Sequence, residues 1–240
     1  MSYSTLIKEP AIRAWIVATL GTRLAVTTVP LGAVLLAAEK LDSYAVGGLL
    51  AGGYAAGEAL LAPWMGRRVQ HHPLRRELVV AIAGEAALLL AALAVVLTAP
   101  GHWWWAVAAM ALAGGVASGV PGALRTYVSR IGDDTPSGRD RALALDTMIN
   151  QGCWLAGPAL AAGTATLVSA AAPIALVAAG LLLTVPAVLA MEGSVTAATA
   201  ASEHETIGAR RLVRLMIVPI TASALIMTML AGLDVLLPAL

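Results

Sequence analysis

Residues 78–98 read LVVAIAGEAALLLAALAVVLT, twenty-one positions with a single ionisable side chain, Glu85. The eleven residues before them, RRVQHHPLRRE at 67–77, carry four arginines and two histidines. A helix on the surface of a soluble protein shows a polar face every turn, whereas this stretch is apolar all round and suits lipid or a wholly buried core. At 1.5 Å per residue its length matches the roughly 30 Å hydrocarbon layer of a bilayer. Working outward, six further stretches of the same kind occur at about 14–37, 44–65, 103–124, 143–168, 173–191 and 215–237. The whole chain of 240 residues agrees, with 59% hydrophobic and 12% charged residues and a mean hydropathy of +0.83. A soluble domain runs at about 45–50% and about 25%, so a typical cytosolic enzyme, a disordered chain and a coiled coil are all excluded. The first stretch is too long for the apolar region of a signal peptide and is followed by Glu39 and Lys40, so it reads as a helix that stays.

The placement of charge gives the topology. Lys8 and Arg13 precede span one, Arg67, Arg68, Arg75 and Arg76 lie between spans two and three, Arg125, Arg130, Arg139 and Arg141 follow span four, and Arg210, Arg211 and Arg214 precede span seven. If the chain alternates across the membrane, these 13 of the 15 cationic residues fall on one side. The positive-inside rule makes that side cytoplasmic and the protein multi-pass, N-terminus inside. The opposite loops, 38–43, 99–102 and 169–172, are short, and Trp103, Trp104 and Trp105 stand where an outer aromatic belt belongs; Trp15, Trp64 and Tyr127 mark the inner one. The polar stretch 192–209 connects a six-helix unit at 1–191 to the last span. The expected organisation is a bundle at 1–191, a cytoplasmic connector at 192–214 and a seventh helix at 215–240.

Ionisable groups inside spans are costly and point to function by default. Five are present: Arg23, Glu58, Glu85, Asp146 and Asp234. Counted along their spans, Arg23, Glu58 and Glu85 lie roughly 10–14 Å from the cytoplasmic edge at 1.5 Å per residue. In one layer, Arg23 would pair with Glu58 or Glu85, leaving a carboxylate in excess that can carry a proton. The arrangement reads either as a static ion pair or as a proton and substrate pathway. Span five carries Asp146, Asn150, Cys153 and Gly157 at spacings of four, three and four, which puts them on one helical face. Asp146, close to the start of that span, equally suits an interfacial residue. Trp154 and Tyr54 offer flat apolar walls to a lipophilic ligand or pack in the core. Pro30 with Gly32, Gly119 with Pro121 and Gly122, and Gly157 with Pro158 are expected to interrupt their helices, because proline lacks an N–H and its ring strikes the preceding turn. Gly48, Gly52, Gly53 and Gly57, and Gly152, Ala156 and Gly163, are spaced for close helix packing.

Other chemistries lack their residues. The single Cys153 and the isolated His71, His72, His102 and His204 make no zinc spacing. No lysine follows Lys40, no HExxH or Walker A sequence occurs, and Ser118-Gly119 has neither a glycine at 116 nor an intramembrane histidine as base. No enzyme activity, cofactor, metal or nucleic-acid partner is expected.

Together these residues resemble the N-terminal half of a major facilitator superfamily (MFS) transporter of the drug-efflux type. Arg23-Leu24 followed by Pro30-Leu31-Gly32 looks like the family's opening helix. The loop from Gly66 to Arg75 and Arg76 resembles its basic loop motif, with Gln70 where the motif is acidic and Pro73 where it has a second glycine. Span five, from Asp146 through Gly152 and Gly157-Pro158 to Gly163, looks like its antiporter motif, with Ala161 and Ala162 in place of the final glycines. The resemblance implies an all-α membrane protein, a six-helix bundle plus a seventh transmembrane helix that opens a second bundle, with the chain cut a little past its middle. It implies an inner (plasma) membrane exporter of a hydrophobic or amphipathic small molecule driven by a proton gradient. Arg23, Glu58, Glu85, Asp146, Asn150 and Trp154 would form the pathway, Pro30, Pro121, Gly157 and Pro158 the gating breaks, and Gly66, Arg75 and Arg76 the loop motif. The alternative is a half-transporter that binds a partner or lipophilic ligand without transport.

Overall fold

A computed structural model describes residues 9–131 and 136–191. Seven helices make up almost all of it: α1 (Pro10–Lys40), α2 (Tyr44–His71), α3 (Leu74–Thr98), α4 (Trp103–Ala117), α5 (Val120–Ile131), α6 (Pro136–Leu167) and α7 (Ala172–Ala190), with one 3-10 turn at Pro100–His102 before α4. No strand occurs among the described residues. Proline opens α1 and α7, where its missing N–H costs nothing and its fixed φ already suits a helix. Ser43 caps α2 by accepting from the Val46 N–H at 3.3 Å, after Asp42 turns the chain with φ 49, a conformation that Asp tolerates better than most side chains.

Five stretches are long and apolar enough to cross a membrane: Pro10–Lys40, Tyr44–Val69, Leu74–Thr98, Pro100–Arg130 and Ala172–Ala190. The described part is therefore all-α and of multi-pass membrane character. Six spans were expected over this region, and the difference is α6. It has the length, 32 residues, but Asp146, Asn150, Gln151, Gly157 and Pro158 dilute its apolar character below that of a free-standing span. The seventh span at 215–237, the connector at 192–214 and Asp234 lie outside the described residues.

Span four breaks where expected. Ser118 N–H bonds back three residues to Gly115 at 3.4 Å, and regular pairing resumes with Ala123 N–H to Gly119. Pro121 would have had to bond the carbonyl of Ala117, the last residue of α4, and has no N–H to do so. The other expected breaks do not form. Pro30 lies inside the continuous α1 and Pro158 inside the continuous α6. Each removes one backbone bond, which helices packed among neighbours tolerate.

Helix direction follows from cross-helix contacts. Along α1 and α6, Arg23 meets Asp146 and Asn150 and Thr27 meets Gly157, so the two rise in parallel. Along α1 and α7, Gly21 faces Thr184 and Gly32 faces Pro173, so these run oppositely. Gly53 faces Val107 and Gly119 faces Met65, making α2 parallel to α4, while the short connection from Thr98 to Trp103 together with Gly84 against Val116 makes α3 antiparallel to it. The chain alternates, and this brings Arg13, Arg67, Arg68, Arg75, Arg76, Arg125, Arg130, Arg139 and Arg141 to one end of the bundle.

At the centre stands α1, packed on α2, α3, α5, α6 and α7. The tightest approach is between α2 and α4: a Cβ at Gly57 would collide with the Ala111 backbone, and one at Gly114 with the Tyr54 backbone. Gly48, Gly52, Gly152 and Gly163 face open space, so only part of the small-residue pattern serves helix packing. Two aromatics read as interfacial are core residues instead. Trp15 is fully buried and donates its indole N–H to the Leu124 carbonyl at 2.9 Å, and Tyr127 is buried too. Trp64 does stay at the surface, with the Arg68 guanidinium 5.5 Å from its ring. At the other end Trp104 and Trp105 are exposed at the start of α4, as a belt requires.

Candidate functional site

The expected single layer of Arg23, Glu58 and Glu85 does not form, and two clusters stand in its place. In the first, Arg23 reaches from α1 to α6. Its Nη2 donates to Asp146 Oδ1 at 2.7 Å, and its Nη1 donates to Asn150 Oδ1. The side chains of Arg23 and Asp146 are 12% and 2% exposed, so this ion pair is withdrawn from solvent. Asp146 is thus a buried partner and not an interfacial residue. Arg23 shares its helix face with Thr27, one turn on, and Thr27 packs against Gly157. Along the facing stripe α6 presents Asp146, Asn150, Cys153 and Gly157, the face that their spacing indicates. Cys153 is buried there within electrostatic reach of Arg23. The guanidinium keeps one buried donor, Nε, without an acceptor, and the Thr19 and Thr28 hydroxyl oxygens on the same helix also lack partners.

The second cluster lies between α2 and α3. Glu85 is fully buried, and Tyr54 donates its hydroxyl to Glu85 Oε1 at 2.7 Å. Tyr54 is therefore a buried hydrogen-bond donor and offers no open wall to a ligand. Glu58, one turn beyond Tyr54, is half-buried and within electrostatic reach of Glu85. Glu58 has no hydrogen bond or ion pair among the described residues.

The remaining candidates are peripheral. Trp154 is 57% exposed on the flank of α6, one turn beyond Asn150. Gly66 faces open space, and Arg75 and Arg76 are exposed. Near them lies a pair that sequence reading missed. Arg68 Nε donates to Glu77 Oε2 at 2.6 Å, with Glu77 4% exposed in the first turn of α3. This pair ties the end of α2 to the start of α3, two helices that otherwise barely touch. The signal was present as an acidic residue in the first turn after Pro73, where the helix dipole favours it. Hydropathy starts span three at Leu78, whereas the helix starts at Leu74 and includes Glu77.

These arrangements hold opposite charges, and a carboxyl with its donor, inside a bundle of apolar helices, where α1 and α6 meet along a polar and small-residue line. Among the described residues no group of three His, Cys, Asp or Glu side chains is placed to hold a metal ion. Comparison with protein-family models, with curated proteins and with solved structures gives no match for this chain.

Proposed function

We propose that the protein is a secondary active transporter of the plasma membrane, exporting a hydrophobic or amphipathic small molecule in exchange for protons, with its N-terminus in the cytoplasm. The observation that carries this reading is the Arg23–Asp146–Asn150 cluster between α1 and α6. A buried ion pair is a poor device for stability, since apolar side chains of the same volume often serve as well or better. Charges kept within a membrane bundle mark ion and substrate pathways. In this reading α6 swings from α1 to open the path. Asp146 and Asn150 then part from the Arg23 guanidinium, and their polar atoms open onto the path. Glu58 and Glu85 form a second carboxyl station, with Tyr54 holding Glu85 in place. In this reading Trp154, on the exposed flank of α6, meets substrate at the edge of the path. In this reading the chain is the N-terminal part of an MFS-type transporter, and the positive-inside rule supports a cytoplasmic arginine-rich end.

The test is ethidium efflux from cells producing the full-length protein. Wild type lowers steady-state ethidium, while Asp146→Asn and Glu58→Gln abolish efflux at an unchanged level of membrane-inserted protein. Efflux retained at the wild-type rate by both variants would remove the assignment.

A further inference from the structure

One cleft is used by neither cluster. It has a volume of about 450 Å³ and lies where α1 ends, α2 begins and α6 runs out. Leu35 and Ala38 of α1 and Ala162 and Ala165 of α6 form its walls. Thr166, also in the wall, donates its hydroxyl to the Ala162 carbonyl at 2.9 Å, so that proton is engaged within the helix. Glu39 and Tyr44 stand at the rim, both exposed. The Glu39 carboxylate is held by the Lys40 ammonium at 2.7 Å. The cleft thus combines a fixed negative charge, an aromatic ring and a small aliphatic floor, and lacks a cationic side chain in its lining. The nearest ammonium, that of Lys40, is already engaged by Glu39. An ammonium ion finds both of its partners, because a carboxylate supplies charge and an aromatic face attracts a cation even when methyl groups replace its N–H donors.

We infer that this cleft binds a soluble monovalent organic ammonium ion with a small hydrocarbon body, the charged head between Glu39 and Tyr44 and the body between α1 and α6. The site lies at the end of the bundle opposite the arginine-rich one, shares no residue with the Arg23 or Glu85 clusters, and stands independently of the transport reading. Lys40 competes with the ligand for the same carboxylate.

The probe is benzyltrimethylammonium, measured by equilibrium dialysis against the purified full-length protein in a maltoside detergent. Its neutral isostere neopentylbenzene, with carbon in place of nitrogen, serves as competitor. Glu39→Gln and Tyr44→Leu should each weaken binding by about two- to fivefold, the range for exposed ion pairs and cation–π contacts, and Lys40→Gln should strengthen it. Ala165→Trp should block the cleft. Glu39, Lys40 and Tyr44 are exposed, so their replacement leaves the core untouched. The same binding in phosphatidylglycerol and phosphatidylcholine nanodiscs is expected of a soluble ligand; loss in phosphatidylcholine alone would overturn that source in favour of a lipid headgroup. Equal competition by neopentylbenzene, or wild-type affinity in Glu39→Gln, would overturn the inference as a whole.

Discussion

Replacing Asp146 with alanine takes the carboxylate from Arg23 and leaves Asn150 Oδ1 as the partner of the guanidinium. The Arg23 side chain is 12% exposed, so its charge cannot be rehydrated without parting α1 from α6. Removing one member of a buried pair costs about 3–5 kcal/mol, most of it the penalty of the charge left behind. Removing both charges avoids that penalty. The double variant Arg23→Met with Asp146→Leu keeps comparable volume and should return to within about 1 kcal/mol of wild type. The assay is equilibrium unfolding in mixed dodecyl sulfate and maltoside micelles, followed by tryptophan fluorescence and run as a double-mutant cycle. Transport is measured after the same variants are reconstituted into vesicles, and the double variant should fold without transporting. A change of less than about 0.5 kcal/mol in Asp146→Ala, the range of an ordinary surface substitution, would refute the reasoning. So would a double variant no more stable than the single one.

Tyr54→Phe strips the O–H from buried Glu85 and should cost about 1–3 kcal/mol, whereas Glu85→Gln, whose amide oxygen still accepts from Tyr54, should cost less in the same unfolding assay. Gly57→Ala drives a methyl into the Ala111 backbone and should cost about 1–3 kcal/mol as overpacking, while Gly48→Ala, facing open space, should be neutral; fluorescence-detected gel filtration after heating separates the two. Arg68→Ala leaves the buried Glu77 carboxylate without its partner and should lower the melting temperature, with Glu77→Gln in the same chain recovering most of the loss.

The helical class, the alternating direction of the helices and the gathering of arginine at one end were legible because each rests on a property repeated along the chain. Apolar runs recur, and nine of the eleven described Lys and Arg residues obey the same side. The break in span four was legible for a local reason, since Pro121 falls where the helix would need its N–H. Partner choice inside the bundle was not legible. Counting along a span gives a residue's level but not the direction in which its side chain points, and Arg23 points to α6 where its level suggested Glu58 or Glu85. Asp146 was misjudged because hydropathy starts span five at 143, three residues before it. The helix starts at Pro136, so Asp146 lies ten residues in, roughly 15 Å along the axis. The polar opening PSGRDR hid these first two turns or so from any apolar scan. Trp15 and Tyr127 failed for a related reason, since an aromatic near a span end suits a lipid interface and a packed core equally well, and the Leu124 carbonyl that accepts from Trp15 is 109 residues away in sequence. The Pro30 and Pro158 breaks failed because neighbouring helices decide whether a membrane helix bends at a proline.

The transport account is tested most directly in proteoliposomes carrying the purified full-length protein and an imposed pH gradient, read with an entrapped pH-sensitive dye when ethidium is added. Ethidium should discharge the gradient in wild-type vesicles and leave it standing in protein-free vesicles and in those carrying Asp146→Asn. A gradient that ethidium does not discharge in wild-type vesicles, or one that Asp146→Asn discharges at the wild-type rate, would contradict it.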